Sequence, residues 1–225
     1  MREVVLDTET TGLDPQDGHR IVEIGCIELV YRRPTGRHYQ TYLNPEREMP
    51  ESAFAVHGLS SEFLKEKPVF REVAADFLAF LGEDRLVVHN APFDIGFLNV
   101  ELERAGHPPL PLERAVDTVL LARRKFPGAP AKLDDLCKRF NIDNSRRTKH
   151  GALLDAELLS EVYLELIGAR QGNLGLALGG QASTGDVFVG SVHAARTPRA
   201  HAPTAQELAR HRAFVATLKN PVWNR

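Results

Sequence analysis

Three short apolar runs lie within the first 43 residues, each bounded by Gly, Pro or Asp, and they commit this chain to building a sheet before anything else. The runs are 3–8 (EVVLDT), 21–30 (IVEIGCIELV) and 39–43 (YQTYL). Each is rich in Val, Ile, Leu or Tyr, the composition of a β-strand. Two more strand-like pieces follow at 86–89 (LVVH) and about 115–117. Between and after them the period changes. Val69, Phe70, Val73, Phe77 and Leu81 recur at helical spacing, as do Leu153, Leu154, Leu158, Val162 and Leu166. A helix is expected from Asn90, with Asn at the cap and Pro92 in the first turn. Three strands followed by alternating helix and strand predict an α/β fold, a mixed sheet flanked by helices.

Hydrophobic residues make up 43% and charged residues 26% of the chain, values that exclude disorder throughout and residence in a membrane. No apolar stretch approaches the ~20 residues of a membrane span. The opening MREVVLDTET brings in acids before any signal-like run, so a cytoplasmic location is expected. Cys26 and Cys137 have no neighbouring cysteine and read as reduced filler. After Gly168 the composition turns to Gly, Ala, Ser and Pro with few large apolar groups, so residues 169–203 are expected to be a flexible linker. Order should return at Thr204, where Thr204-Ala-Gln-Glu207 has capping-box spacing, and a short helix should run to about Asn220. Net charge is −2 overall, divided into −7 for residues 1–168 and +5 for the remainder. A broad basic surface for nucleic acid is therefore absent, and an acidic body that handles a polyanion needs cations.

The acids have a pattern. Asp7 and Glu9 are two apart on the first strand, which puts both side chains on one face, about 6–7 Å apart along it. A solvated strand end would look the same, but these acids directly follow an apolar β-run and so stand at the carboxyl end of the sheet, where ligands bind in α/β proteins. Asp94 lies in HNAPFD at a strand-to-helix junction, where it is either a dipole-stabilised first-turn acid or a ligand. Asp155 interrupts the apolar face of Leu154 and Leu158, an expensive place for an unpaired charge. His150 precedes it by five residues, and Gly151 between them is consistent with a mobile loop.

Taken together, Asp7-x-Glu9 in DTETTGL, Asp94 in HNAPFD and His150-x4-Asp155 resemble the three motifs of the DEDDh branch of the DEDD exonuclease superfamily. Within that branch, VHGLSSEFLKEKPVF and the ending of the body are similar to the epsilon proofreading subunits of bacterial DNA polymerase III. The resemblance covers about residues 1–168, which it implies are an exonuclease domain of RNase H-like fold, and none of the five catalytic positions departs from it. It implies that Asp7, Glu9, Asp94 and Asp155 hold two divalent cations, Mg²⁺ or Mn²⁺, both of which favour oxygen ligands. His150 matches the general base that takes a proton from the attacking water. Thr10, Thr11, Phe54 and His57 match the seat of a single-stranded or frayed 3′ DNA end. Beside His150, Arg146, Arg147 and Lys149 are read either as a solvated loop or as phosphate contacts.

The tail separates a proofreading subunit from a free-standing RNA or oligonucleotide exonuclease, since a tethered subunit gains effective concentration from a long linker. A non-catalytic replisome adaptor is the remaining alternative, and the five intact motif residues speak against it. In the linker, Gln171, Leu174 and Leu176 are similar to peptides that dock on the beta sliding clamp, although Leu176 replaces the commoner aromatic. The 204–220 helix is too short to be stable alone in water. Its Leu208, Phe214, Val215 and Leu218, with Trp223 beyond, are therefore expected to be buried against the polymerase catalytic (alpha) subunit.

Overall fold

The computed structural model describes residues 1–169 and 202–219. Chain contacts divide it into two units, residues 1–174 and 175–225. In the first, five strands form one sheet: β1 (Arg2–Thr10), β2 (Ile21–Val30), β3 (Arg33–Tyr42), β4 (Arg85–Val88) and β5 (Ala115–Asp117), in the order β3-β2-β1-β4-β5. The pairs β1–β2 and β2–β3 are antiparallel, and β1–β4 and β4–β5 are parallel. This is the mixed sheet that the strand order called for.

Alternation along β1 explains the layering. Val4 and Leu6 face one side, where they are buried with Ile24, Cys26, Leu86 and Val88 under α3 (Phe70–Leu81) and α4 (Ala91–Arg104). Val5 faces the other side, with Leu29 and Val87 under α6 (Leu133–Phe140) and α7 (Ala152–Leu166). A central strand covered on both faces can be apolar at every residue, which is why VVL reads as a continuous run. The remaining α-helices are α1 (Glu51–His57), α2 (Ser61–Lys65), α5 (Thr118–Lys125) and, in the second unit, α8 (Ala205–Ala216).

The fold differs from the sequence reading at β3, at the start of α4 and along α8. β3 begins at Arg33 rather than at Tyr39, and it follows a tight turn in which Tyr31 and Arg32 both take positive φ, the conformation that matches strand twist in a two-residue hairpin. Its first six residues are exposed on a sheet edge and needed no apolar alternation. Asn90 does cap α4, but in the left-handed region (φ 69) and with no side-chain bond to the helix, so it supplies a backbone bend rather than an acceptor. Finally, α8 starts as expected, with Thr204 Oγ1 accepting from Glu207 N and Glu207 Oε2 accepting from Thr204 N, but it ends at Ala216. Leu208, Phe214 and Leu218 are exposed and Val215 is buried. Residues 170–201, including Gln171, Leu174 and Leu176, and residues 220–225, including Trp223, lie outside the described residues. Both cysteines are buried and free. Among the described residues no helix is long and apolar enough to cross a membrane.

Candidate active site

The carboxyl end of β1 opens into a cavity of about 720 Å³ whose wall includes Asp7, Glu9, Asp94, His150 and Asp155. Three elements bring the acids together. β1 delivers Asp7 and Glu9. α4 starts directly after the parallel strand β4, so its first-turn Asp94 comes up beside β1, where Asp94 Oδ1 accepts from the Thr8 amide at 3.0 Å and the Thr8 hydroxyl at 2.7 Å. α7 crosses the sheet from the far end of the chain and presents Asp155 in its first turn. Its start is fixed by β2: Glu23 Oε2 accepts from the Ala152 amide at 3.1 Å. Gly25 leaves the room, since a Cβ there would lie 2.2 Å from the Ala152 carbonyl carbon.

Crowding shows in the protonation of the acids. Burial, with the charges of Asp94, Asp155 and Glu9 added, holds Asp7 well above the usual carboxylate range. Burial and the repulsion of Asp155 and Glu23 push Glu9 up to about 8. Asp94 is pushed up to about 7 by burial, against the Thr8 hydrogen bonds that favour its charge. Asp155 is the exception: burial would raise it too, but the Arg147 hydrogen bonds hold it below its ordinary value. Ligand atoms of Glu9, His150 and Asp155 lie within 4.8 Å of one another. A cluster of oxygens whose mutual repulsion is relieved by positive charge fits hard divalent cations.

His150 is half exposed, with Nδ1 3.4 Å from Asp155 Oδ2. Its backbone amide donates to Val56 O at 3.2 Å, and Lys149 Nζ donates to Ala55 O, so the histidine segment is tied to α1. Gly151 has extended backbone that other residues also adopt, and a Cβ on it would meet nothing closer than 3.9 Å. The glycine therefore does not mark a hinge that side chains could not form.

The expected nucleotide seat is brought together only in part. Thr10 and His57 line the cavity. His57 is buried, Nδ1 accepts from the Leu59 amide at 3.0 Å, and Nε2 has no partner at hydrogen-bond distance; burial keeps this imidazole below its ordinary value, and hence neutral. Thr11 is fully buried and turned inward, where its hydroxyl meets His19 Nδ1 and accepts from the Arg20 amide. It cannot touch a ligand in the cavity, and its place in the motif is structural. Phe54 is 44% exposed on α1 but is not part of the wall.

The structure also adds residues. Arg147, read in the sequence as solvated or bound to phosphate, is instead 7% exposed and ion-paired to Asp155 and Asp134. His89 lines the cavity with Nδ1 2.8 Å from the Thr118 hydroxyl. For Glu23 there was a signal, an acid inside an apolar strand; for Asp134, ordinary among the charges of LDDLCKRF, there was none.

Comparison with known proteins agrees with this geometry. The family described as Exonuclease (RNase_T) matches residues 4–163. The chain is 50% identical over 224 residues to the DNA polymerase III subunit epsilon of Rickettsia felis, covering 97% of each chain. It is 46% identical over 187 residues to the same subunit of Escherichia coli, covering 80% of this chain and 76% of the relative. In fold it is similar to the nuclease domain of 3′hExo, a DEDDh family member, bound to rAMP, with a TM-score of 0.63 at 18% identity over 75% of this chain and 92% of that one. It is likewise similar to exonuclease X in complex with 5′-overhanging duplex DNA, with a TM-score of 0.59 at 23% identity over 74% and 92%.

Proposed function

This chain belongs to the exonuclease family of DNA polymerase III epsilon subunits, 3′→5′ exonucleases, and from that premise we propose that its cavity hydrolyses the 3′-terminal phosphodiester of newly made DNA as a proofreader. The observation that carries the reading is the convergence of Asp7, Glu9, Asp94 and Asp155, from three separate elements, on one cavity with a histidine at its edge.

Asp7, Glu9, Asp94 and Asp155 would hold the divalent ions that belong to this family, two in number and either Mg²⁺ or Mn²⁺ in our reading. When bound, such ions offset the charge that builds on the attacking and leaving oxygens of a phosphodiester. The remaining work falls to the chain's own groups. His150 accepts the proton of the attacking water, a task imidazole suits because it exchanges protons near neutral pH. Thr8 keeps Asp94 aimed into the cavity. His57 has its Nδ1 lone pair committed to the Leu59 amide, so Nε2 carries the hydrogen; that nitrogen is buried beside the Thr10 backbone, and the ring shapes the wall against which the terminal nucleotide would rest.

Residues 1–168 are the nuclease in this reading, 169–203 a linker and 204–225 a tether to the polymerase catalytic (alpha) subunit, with the Gln171, Leu174 and Leu176 peptide a contact for the beta sliding clamp. Support for the tether comes from the exposed Leu208 and Phe214 on α8 and from a relative that matches 97% of this chain. Deleting 204–225 is expected to leave hydrolysis of a short single strand unchanged and to abolish coelution with the polymerase in gel filtration. The activity itself is tested with D7A, which should abolish Mn²⁺-dependent release of nucleotides from a mispaired 3′ end. More than a tenth of wild-type activity in that variant contradicts the reading.

A further inference from the structure

Arg147 lines the cavity and the hydrolysis described above gives it no task, yet its side chain is heavily engaged. Its Nε donates to Asp155 Oδ1 at 2.6 Å and its Nη2 to Asp155 Oδ2 at 2.7 Å. Nη1 donates to Asp134 Oδ2 at 2.9 Å, and Nη2 also lies 2.8 Å from His150 Nδ1. A guanidinium has no acceptor, so Nδ1 must offer its lone pair. One side chain thus occupies both oxygens of a proposed metal ligand and one ring nitrogen of the proposed base. Of the Glu9, His150 and Asp155 ligand atoms, close enough to share one ion, those of His150 and Asp155 are already in contact with an organic cation.

We propose that Arg147 is a positioning residue that couples cation binding to substrate: it holds Asp155 and His150 in place and, when the phosphate of a bound strand takes over its guanidinium, yields the Asp155 oxygens to a divalent ion and frees the His150 lone pair that the proposed base needs. The inference rests on reading the cavity as a metal-dependent nuclease site. Phosphate is the anion that suits the exchange, because the planar fork of arginine pairs with phosphate as readily as with carboxylate. The anchor for a pivot is present. Asp134, 46% exposed at the cavity wall, holds Nη1, the nitrogen that Asp155 leaves unbound, so that contact can stay when the other two nitrogens change partners. Coupling of this kind is reciprocal: nucleotide tightens the cation, and the cation tightens nucleotide.

The test titrates the full chain with Mn²⁺ alone, read by electron paramagnetic resonance, with and without thymidine 5′-monophosphate. Hydrogen bonds to charged groups are strong enough that R147A should bind Mn²⁺ about tenfold more tightly than wild type without nucleotide. With nucleotide the two proteins should converge. R147K keeps the positive charge but loses the two-pronged hold, so it should shift in the same direction as R147A; it also covers the case in which R147A does not fold. The inference is overturned if both variants bind Mn²⁺ as wild type does. It is equally overturned if R147A gains the same factor with and without nucleotide, or if R147K matches wild type, since either result marks a plain effect of charge. Absence of Mn²⁺ binding in every protein, wild type included, removes the metal reading itself and this inference with it.

Discussion

Replacing Gly25 by alanine is expected to inactivate the site without altering any group in it. The added Cβ would lie 2.2 Å from Ala152 C, 2.3 Å from Leu153 N and 2.4 Å from Ala152 O. All three are backbone atoms at the start of α7, so no flexible side chain can swing aside. Ordinary contact begins at 3.4 Å, and the helix end must therefore retreat from β2 by roughly 1 Å. Two costs follow. Overpacking of this kind destabilises by about 1–3 kcal/mol. The displaced segment also carries His150 two residues before the clash and Asp155 three after it, while Asp7 and Glu9 stay on β1; a shift of ~1 Å in reacting groups can cost about 10²-fold in rate. Single-turnover hydrolysis of a 3′-labelled oligonucleotide, run beside a thermal melt, measures both. G96A is the control: nothing lies within 4 Å of a Cβ at Gly96, and alanine inside a helix gains about 0.5–1 kcal/mol. A G25A protein with a lowered melting temperature but a rate within threefold of wild type refutes the claim that the β2–α7 contact sets the catalytic geometry.

His150→Ala should lower the single-turnover rate by about 10²–10⁴ with little change in binding of single-stranded DNA; an unchanged rate at neutral pH shows that water needs no base here. A second expectation concerns acid. Glu28 accepts from Arg2, Thr35 and Arg37, and the Arg2 and Thr35 bonds hold its carboxyl below the ordinary value of 4.5. A depressed folded-state value means that the stabilisation is present above about 4.5 and is lost as pH falls through the folded value. The stability gap between wild type and E28Q, about 1 kcal/mol at pH 7, should therefore close in melts recorded at progressively lower pH. A gap that persists or widens in acid rules out the ion pairs as its source.

The sequence exposed those parts of the molecule whose local chemistry and tertiary role coincide. β1 and β2 were readable because both faces are covered, and α3 and α7 because their apolar spacing matches the core they build. α1, α2 and α5 have no such run; they are short and are held by docking and by caps such as Asp117, which accepts from the Val119 and Leu120 amides. In the site, each carboxylate could be suspected from its own surroundings. What it faces could not: nothing around Arg147 in RRTKH distinguishes a buried fork from a solvated one, because its partners are an acid eight residues on and another thirteen back. Thr11 illustrates the converse, a motif residue whose neighbour reaches the cavity while its own hydroxyl is turned into the body.

The order in which the acids leave the ribosome carries a consequence of its own. Asp7 and Asp155 are 148 residues apart, and at about 5–20 residues per second the second follows the first by on the order of ten seconds. Through that interval the chain has β1 and its two acids but not α7, which brings the last carboxylate and much of one core layer in the same step. With Asp155 in its proposed role, cleavage would begin only when folding is nearly finished. On the proposed role of Asp155, a nascent chain, a fragment cut short of residue 152 or a molecule whose α7 has come loose would be harmless to DNA, and the docking event that completes the protein would also switch it on.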